Sequence, residues 1–351
     1  MPDVDYRSEE IFYFNGHRDT DLVLRLQSRY DGFDQSLIPT LVESSLVDTK
    51  VIGEVRSDDN FGTGHLIFYV PTNKGQLVVR TNRFLQESEH YMALEELFTK
   101  ESREAGIPTN TVLFADTSRE LVDFDYQIME LLPGRDLEMD WNGNKEDYDR
   151  ISYELGKLVA MQHRIKVKGW GRFKRADGEL VGSYSEPGDY LKAYLDYDLN
   201  VMEIDGLINH EIRGKIEQYF EVSSGLLEDV EPCLVHHDIA DHNIRYKGDE
   251  VVALFDWENA VAYDPVSDIG SAHTWVCHYP RRKEMTRGYL DELGYEPDNF
   301  KERVTLHFLR TMLWKSAFAL KGNRFSERHR GLLADALCEA RIIESREVFM
   351  L

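Results

Sequence analysis

Hydrophobic and polar positions between residues 233 and 258 follow the pattern of a small β-structure. The apolar runs and polar breaks predict, in order, a strand at 233–235, a loop at 236–242, a strand at 243–246, a turn at 247–249 and a strand at 251–255. The last strand is followed directly by Asp256, while Asp238 and Asn243 lie on or beside the loop. Three polar side chains are therefore expected near the ends of buried strands, where a rigid scaffold holds them in fixed positions.

The first part of the chain predicts a sheet that is preceded by helices. The patterns indicate leader helices around 22–30 and 37–46, strands at 51–56, 65–70, 76–80 and 111–114, and a helix at 84–104. Gly62 and Gly64 lie in the polar loop between the first two strands, where backbone N–H groups could approach phosphates. A further apolar strand ends at Pro133 and Gly134, which predicts a boundary between two lobes.

Beyond that boundary the pattern is mostly helical. Residues 148–163 form an amphipathic pattern, with His163 expected as a helix-terminal residue, and residues 187–230 predict two or three further helices. Between them, Gly169-Trp170-Gly171 is interpreted as a tight turn with a packed indole. The chain therefore combines a strand-rich first part with a helix-rich second part.

Composition narrows the class of protein. With 351 residues, 42% of them hydrophobic, the chain is long enough for two lobes with their own cores. A net charge of −23 argues against nucleic acid or an anionic membrane as partner. The charge permits a cationic substrate, although it could equally serve only to keep the protein in solution. The three cysteines are widely spaced and are expected to be reduced thiols, and the absence of a signal-peptide or membrane-spanning pattern predicts a cytoplasmic protein.

The spacing of the polar residues around 238 resembles the catalytic centre of kinases. His236-x-Asp238-x4-Asn243 is followed thirteen residues after the asparagine by Asp256 at the end of an apolar strand. One carboxylate and one amide oxygen beside nucleotide phosphates are suitable ligands for Mg²⁺, and a loop carboxylate remains an anion near neutral pH. Arg80 lies on an apolar strand where kinases usually place a phosphate-binding lysine that pairs with a helix glutamate.

Several segments together resemble the aminoglycoside phosphotransferase family, whose antibiotic and small-molecule kinases share the protein-kinase-like fold. The matching segments are residues 128–137 (IMELLPGRDL), the Leu155-Gly156-x6-His163 helix with the following Gly169-Trp170-Gly171, residues 234–243 (LVHHDIADHN), and residues 254–258 (LFDWE) running to Asp264-Pro265-x-x-Asp268. The resemblance implies an α+β fold with two lobes: an antiparallel-sheet lobe and a larger, mostly helical lobe. The expected division is a helical extension over 1–50 packed on the first lobe, a nucleotide-binding lobe over 51–132, and a catalytic and substrate lobe over 133–351.

The same resemblance implies a role for each matching site residue. The expected set comprises Asp238 as catalytic base, His236 as the brace of the catalytic loop, Asn243 and Asp256 as Mg²⁺ ligands, Arg80 as the phosphate-binding residue, Gly62 and Gly64 in the phosphate loop, and Met129, Glu130 and Leu131 at the adenine. Glu89 is the preferred partner of Arg80, with Glu87 and Glu95 left as alternatives. Asp264 and Asp268 are expected to cap a helix.

The predicted function is transfer of the γ-phosphoryl group of ATP, with GTP as an alternative donor, to a hydroxyl group of a small molecule. An aminoglycoside-like or other antibiotic is the preferred acceptor, which would make the protein an antibiotic-resistance enzyme. A kinase of choline, a sugar or homoserine is the alternative enzyme. A non-catalytic nucleotide-binding protein of the same fold is the remaining alternative, although Asp238, Asn243 and Asp256 are all retained.

Overall fold

The computed structural model describes residues 31–57, 65–82, 91–176, 179–274 and 278–350. The predicted helix around 22–30, the loop glycines Gly62 and Gly64, and Glu89 lie outside these residues. The fold is α+β, and no helix among the described residues is long and apolar enough to cross a membrane.

The first part of the chain forms a five-stranded antiparallel sheet with a helix on one face. Its elements are α1 (Leu37–Ser45), β1 (Arg56–Ser57), β2 (Leu66–Thr72), β3 (Gly75–Asn82), α2 (Tyr91–Glu104), β4 (Val112–Asp116) and β5 (Asp125–Glu130), with strand order β1-β2-β3-β5-β4. Burial alternates along β2, so that Leu66, Phe68 and Val70 face the core. Helix α1 packs Ile38, Leu41 and Val42 into the same core, as expected from their helical spacing.

The predicted strand at 51–56 is largely absent. Val51 forms only an isolated bridge to Thr72, and the regular strand is confined to Arg56–Ser57. The reason is that Ile52 is 68% exposed, so the apolar residues of this segment do not share one buried face.

The second part is mainly helical and contains two small sheets. Its elements are β6 (Arg135–Asp136), α3 (Lys145–Gln162), β7 (Trp170–Ala176), β8 (Glu179–Tyr184), α4 (Pro187–Lys192), α5 (Leu195–Ile204), α6 (His210–Ser223), β9 (Cys233–Val235), β10 (Ile244–Lys247), β11 (Glu250–Leu254), β12 (Val261–Tyr263), α7 (Val266–Ala272), α8 (Arg282–Leu293), α9 (Phe300–Lys321), α10 (Glu327–Glu339) and α11 (Arg346–Met350). The strand orders are β11-β10-β6 and β8-β7-β12-β9.

One turn prediction in this part is wrong. Trp170 and Gly171 begin strand β7, and Ala262 of β12 pairs with Gly171. Gly171 has φ +84, and a Cβ atom there would press on the rings of Tyr184 and Tyr190. The glycine therefore permits close packing of aromatic rings against the strand instead of a chain reversal.

Helices α3 and α8 cross at a contact made by two glycines. A Cβ atom on Gly156 would collide with the backbone of Met285, and one on Gly288 would collide with the backbone of Tyr153. The absence of both side chains allows the two backbones to touch. This close crossing positions the C-terminal end of α3, where His163 reaches the candidate site.

Candidate active site

The hairpin of β10 and β11 brings the three predicted polar residues together. The backbone N–H of Phe255 donates to the carbonyl oxygen of Asn243 at 3.0 Å, which places Asn243 beside the residue that precedes Asp256. The Asn243 side-chain amide donates to the carbonyl oxygen of Asp238, also at 3.0 Å. Asp238, Asn243 and Asp256 therefore meet at one end of the hairpin, as their spacing predicts.

Asp238 has a carboxylate that is only partly satisfied within the protein. One oxygen, Oδ2, accepts a hydrogen bond from Asn259 Nδ2 at 3.3 Å. The other, Oδ1, is buried and has no hydrogen-bond partner among the described residues. Burial raises the pKa of the Asp238 carboxyl, nearby His242 and His236 oppose this effect, and the negative charge of Asp256 adds to it. The carboxylate thus has an acceptor atom available for a hydroxyl proton.

His236 braces the loop that carries Asp238. Its Nε2 lies 3.1 Å from the Phe255 carbonyl oxygen, to which it can donate, and Nδ1 can then accept from the backbone N–H of Asp238 at 3.3 Å. The imidazole also packs against the ring of Trp257, with the ring centroids 4.6 Å apart. The side chain therefore links the loop to the end of β11.

Asp268 holds the same loop from the other side. It is fully buried, and its two oxygens accept the backbone N–H groups of His236 at 3.1 Å and His237 at 2.9 Å. His163 Nε2, at the end of α3, lies 3.1 Å from the same carboxylate. Although burial opposes ionisation, the hydrogen bond from His163 and those from the loop lower the pKa of Asp268, so the carboxylate is charged.

The expected capping role is therefore wrong for Asp268, which lies inside helix α7 and reaches across to the loop. It holds for Asp264, whose carboxylate accepts the backbone N–H of Val266 at the start of that helix at 2.9 Å. Asp264 also pairs with Arg303 and with His307. Sequence spacing alone gives no indication of these distant partners, because α9 follows more than 35 residues later in the chain.

Arg80 lies at the centre of a cluster of three carboxylates. Its guanidinium contacts Asp256 at 2.8 Å, Glu258 at 2.9 Å and Glu95 at 3.2 Å. Glu95, one of the alternatives left open by the sequence, is thus a glutamate of helix α2 that pairs with Arg80 among the described residues. Glu89, the preferred choice, and Glu87 lie outside the described residues.

Glu95 also connects helix α2 to the segment after Asp256. Its Oε1 accepts the backbone N–H of Trp257 at 3.0 Å. Burial raises the pKa of Glu95, and the positive charge of Arg80 opposes that effect. Asp256 itself has φ +67, a left-handed conformation that aspartate tolerates better than most residues and that turns the chain sharply at the end of β11.

The predicted adenine segment lies at the end of β5. Met129 is buried and its sulfur accepts from Asn110 Nδ2 at 3.1 Å, whereas Leu131 is 42% exposed. The backbone N–H of Glu130 already donates to the carbonyl oxygen of Thr111 at 3.1 Å. Any adenine at this edge would therefore need a donor from elsewhere, and the Leu131 backbone is the nearest candidate along the chain.

Two residues of the site were missed in the sequence. Glu258 contacts both Arg80 and His65 Nε2, and Asn259 contacts Asp238. Both follow Asp256 within three residues, in the short 3₁₀ helix Trp257–Asn259. Their proximity to Asp256 was a signal that could have identified them, since a sharp turn there directs the next side chains back toward the loop.

The donor set fits Mg²⁺ only in combination with a nucleotide. No group of three or more His, Cys, Asp or Glu side chains in the described residues is arranged to hold a metal by itself. Asp256 offers a carboxylate and Asn243, whose amide nitrogen is turned toward Asp238, offers an amide oxygen. Mg²⁺ commonly combines one or two such ligands with waters and phosphate oxygens.

A family model described as the phosphotransferase enzyme family matches residues 60–302, more than two thirds of the chain. The chain belongs to this family. It is therefore a phosphotransferase of small molecules, as its motifs predict. A comparison with curated proteins gives no sequence match.

Solved structures similar to this phosphotransferase include kinases of different acceptors. A thermostable mutant of aminoglycoside phosphotransferase APH(4)-Ia, in ternary complex with AMP-PNP and hygromycin B, is 15% identical, with coverage of 87% of this chain and 98% of that chain and a TM-score of 0.64. A putative fructosamine-3-kinase from Thermobifida fusca is 15% identical, with coverage of 87% and 99% and a TM-score of 0.63. The macrolide 2'-phosphotransferase MphH from Brachybacterium faecium is 13% identical, with coverage of 85% and 97% and a TM-score of 0.56. At these identities the similarity establishes the protein-kinase-like fold.

Proposed function

We propose that this phosphotransferase transfers the γ-phosphoryl group of ATP to a hydroxyl group of a small molecule, with Asp238 as the general base. The observation that carries the proposal is the state of the Asp238 carboxylate. One of its oxygens is buried without a hydrogen-bond partner among the described residues, and the loop that carries it is fixed by Asn243, His236 and Asp268. A buried acceptor atom on a braced loop is suited to receiving the proton of an acceptor hydroxyl.

Asn243 and Asp256 would hold Mg²⁺ in this proposal. When bound, the ion neutralises negative charge on the phosphate oxygens. The protein fixes Asn243 through the Phe255 backbone and fixes Asp256 through Arg80. The guanidinium of Arg80 already pairs with Asp256, Glu258 and Glu95, so its role at the phosphates stays a prediction that rests on the resemblance to the family.

The nucleotide would lie between the sheet of the first part and the hairpin of the second. The complex of a similar structure with AMP-PNP supports ATP as the donor. The adenine stays assigned to Glu130 and Leu131 with Met129 behind it, and the phosphates to Arg80. Because the Glu130 N–H already donates to Thr111, the donor to the adenine would be the N–H of Leu131. GTP stays an alternative donor, and the division into lobes at residues 132 and 133 stays a prediction.

The class of acceptor is the open part of the function. Similar structures have names or complexes that refer to hygromycin B, fructosamine and a macrolide, so the fold serves antibiotics and a metabolite alike. An aminoglycoside-like antibiotic is the acceptor preferred from the sequence, and a choline, sugar or homoserine kinase is the alternative.

Acceptor-dependent release of ADP from MgATP, measured over aminoglycosides, macrolides and small alcohols, tests the proposal. With an acceptor that is turned over, we expect Asp238→Asn to lower kcat by about 10²-fold or more, because a general base is lost. Asp256→Ala should abolish Mg²⁺-dependent turnover. Asp205→Asn, which alters an exposed carboxylate far from the hairpin in sequence, is the control. Near wild-type turnover in either site variant would contradict its assigned role.

A further inference from the structure

A buried ion pair holds the part of the catalytic loop that lies between the proposed base and the proposed Mg²⁺ ligand. Asp241 lies between Asp238 and Asn243 in the sequence, and its carboxylate pairs with the guanidinium of Arg281. The Arg281 side chain is 1% exposed and that of Asp241 is 0% exposed. The loop therefore directs one charged side chain into the protein interior, where it meets a charged partner.

Tyr148 of helix α3 joins this pair. Its hydroxyl accepts a hydrogen bond from Arg281 at 2.9 Å and donates to the Asp241 carboxylate, whose oxygens lie 3.0 and 3.1 Å away. The Arg281 guanidinium also lies over the Tyr148 ring, 5.7 Å from its centroid. We call Arg281, Asp241 and Tyr148 the buried triad.

Arg281 contacts the loop at a second point. Its Nη1 donates to the carbonyl oxygen of Ile239 at 3.4 Å, while the other end of the guanidinium pairs with Asp241. These two residues flank Ala240 in the sequence. A single guanidinium therefore holds the chain on both sides of Ala240.

The backbone of Ala240 links the two functional ends of the loop. Its N–H donates to the carbonyl oxygen of Asp238 at 2.8 Å, and its carbonyl oxygen accepts the N–H of Asn243 at 3.1 Å. A displacement of Ala240 would therefore change the position of Asp238 relative to Asn243.

We propose that Arg281 is a positioning residue of the phosphotransferase reaction and that it sets the position of Asp238 relative to Asn243. The inference rests on the proposed function, because it takes Asp238 as the general base and Asn243 as a Mg²⁺ ligand. Arg281 acts through the loop backbone, since its guanidinium is directed to the loop and to Tyr148.

The energetics of a buried ion pair favour positioning over stability as the role of Arg281. Removal of both charges from water carries a desolvation cost that can equal or exceed their attraction, so apolar side chains of similar volume could stabilise the fold equally well. The hydrogen bonds of a guanidinium, in contrast, have fixed directions. Contacts from Arg281 to a carbonyl group and a carboxylate of the loop therefore specify one loop geometry, which apolar packing would not.

Arg281 holds the loop on the side opposite to that held by Asp268. The Asp268 carboxylate accepts the N–H groups of His236 and His237, which precede the proposed base. The contacts of Arg281 are to residues 239 and 241, which follow it. The base is therefore fixed from both directions along the chain.

The helices that provide the other two members of the triad are packed closely against each other. Arg281 immediately precedes helix α8, and Tyr148 lies near the start of helix α3. The two helices cross where Gly156 and Gly288 allow their backbones to touch. The loop is thus held against a helix pair whose geometry is itself fixed.

Removal of both charges separates positioning from stability. Arg281→Met alone leaves the Asp241 carboxylate buried without its ion-pair partner and should destabilise the protein strongly. The double variant Arg281→Met/Asp241→Asn has neither charge, and its asparagine retains an oxygen that can accept from Tyr148. We expect the double variant to fold. Arg281→Lys, which keeps the charge but replaces the planar fork by a point charge, provides the same comparison if the double variant does not fold.

Amide hydrogen exchange of the nucleotide-free protein measures the loop independently of activity. The N–H groups of Ala240 and Asn243 are the reporters, because both donate within the loop. We expect them to exchange at least tenfold faster in the double variant, with a smaller increase in Arg281→Lys, while the amides of helix α9 keep their wild-type rates. Such a difference indicates local opening of the loop rather than global unfolding.

Acceptor-dependent ADP release from MgATP measures the consequence for phosphoryl transfer. We expect kcat to fall at least tenfold in the double variant, with Arg281→Lys between it and the wild type, because a displacement of about 1 Å in a reacting group can lower the rate roughly 10²-fold. Arg282→Met is the matched control. It removes a guanidinium from the next residue, which bonds to Glu339 at 2.9 and 3.0 Å, and should change neither loop exchange nor kcat.

The outcomes separate this inference from the proposed function. If loop exchange or kcat stays at the wild-type value in the Arg281 variants, or if the amides of helix α9 accelerate equally, Arg281 is not a positioning residue while the kinase assignment survives. If the wild-type protein neither binds MgATP nor releases ADP with any compound, the proposed function fails. Faster loop exchange would then identify the buried triad as a structural contact only, and the positioning role would be wrong as well.

Discussion

Asp268→Asn provides a direct test of how the catalytic loop is held. The wild-type carboxylate is fully buried and accepts the N–H groups of His236 and His237 while contacting His163 Nε2. Asparagine has the same shape but only one acceptor oxygen, and its amide nitrogen would face a donor. The substitution therefore leaves at least one buried donor of the loop without an acceptor.

The size of the effect follows from these contacts. A hydrogen bond to a charged group contributes about 1.5–3 kcal/mol, and the variant loses one or two of the three bonds. The free energy of unfolding should therefore fall by roughly 1.5–6 kcal/mol. His237 precedes the proposed base directly, so release of its N–H also releases Asp238. A displacement of about 1 Å in a reacting group can lower kcat by roughly 10²-fold.

Chemical denaturation and acceptor-dependent ADP release measure the two effects separately. Ser271→Ala is the matched control, because it alters the same helix and removes only the local hydrogen bond from Ser271 Oγ to the Asp268 carbonyl oxygen at 3.2 Å. Ser271→Ala should lower the free energy of unfolding by about 1 kcal/mol and leave kcat unchanged. If Asp268→Asn stays within about 1 kcal/mol of the wild type and retains its kcat, Asp268 does not position the loop.

Two further predictions concern charges around the site. Arg80→Met should destabilise the protein by about 3–5 kcal/mol, because buried Glu95 loses its ion-pair partner, and it should also weaken MgATP binding. The double variant with Glu95→Gln should recover stability but not nucleotide affinity. Recovery of both would contradict a phosphate role for Arg80. Burial lowers the pKa of His237 from its ordinary value of 6.5 to about 4 in the folded protein. Below pH 6.5 the unfolded chain therefore binds more protons than the folded chain, and the free energy of unfolding falls as the pH drops toward 4. Because the residue is partly exposed, the expected decrease is about 2 kcal/mol. The charged groups around it include Asp268, Arg172 and Arg310. Asparagine tolerates the positive φ of position 237 and does not titrate, so His237→Asn should reduce this dependence of stability on acid pH. Denaturation curves measured between pH 7 and 4 test this, and an unchanged pH dependence would exclude His237 as its source.

The amino-acid sequence determined the parts of this protein that depend on neighbours in the chain. The strand Cys233–Val235 lies where its apolar run predicts it, and the hairpin that follows differs from prediction by about one residue at its ends. Because the hairpin is short, its two strands fix Asn243 beside Phe255, so the grouping of Asp238, Asn243 and Asp256 could be inferred from spacing alone. Length and pattern indicated two lobes, and the α+β kinase-like fold followed from the family resemblance that the motifs carry.

Only the tertiary structure decided which distant residues complete the site. Glu95 could not be distinguished from its neighbours on an acidic helix, because the choice depends on how α2 packs against the segment after Asp256. Asp268 could not be separated from a helix cap, since its partners lie on the loop and on α3. Contacts at such separations depend on the packing of whole elements, and local hydrophobic periodicity carries no information about that packing.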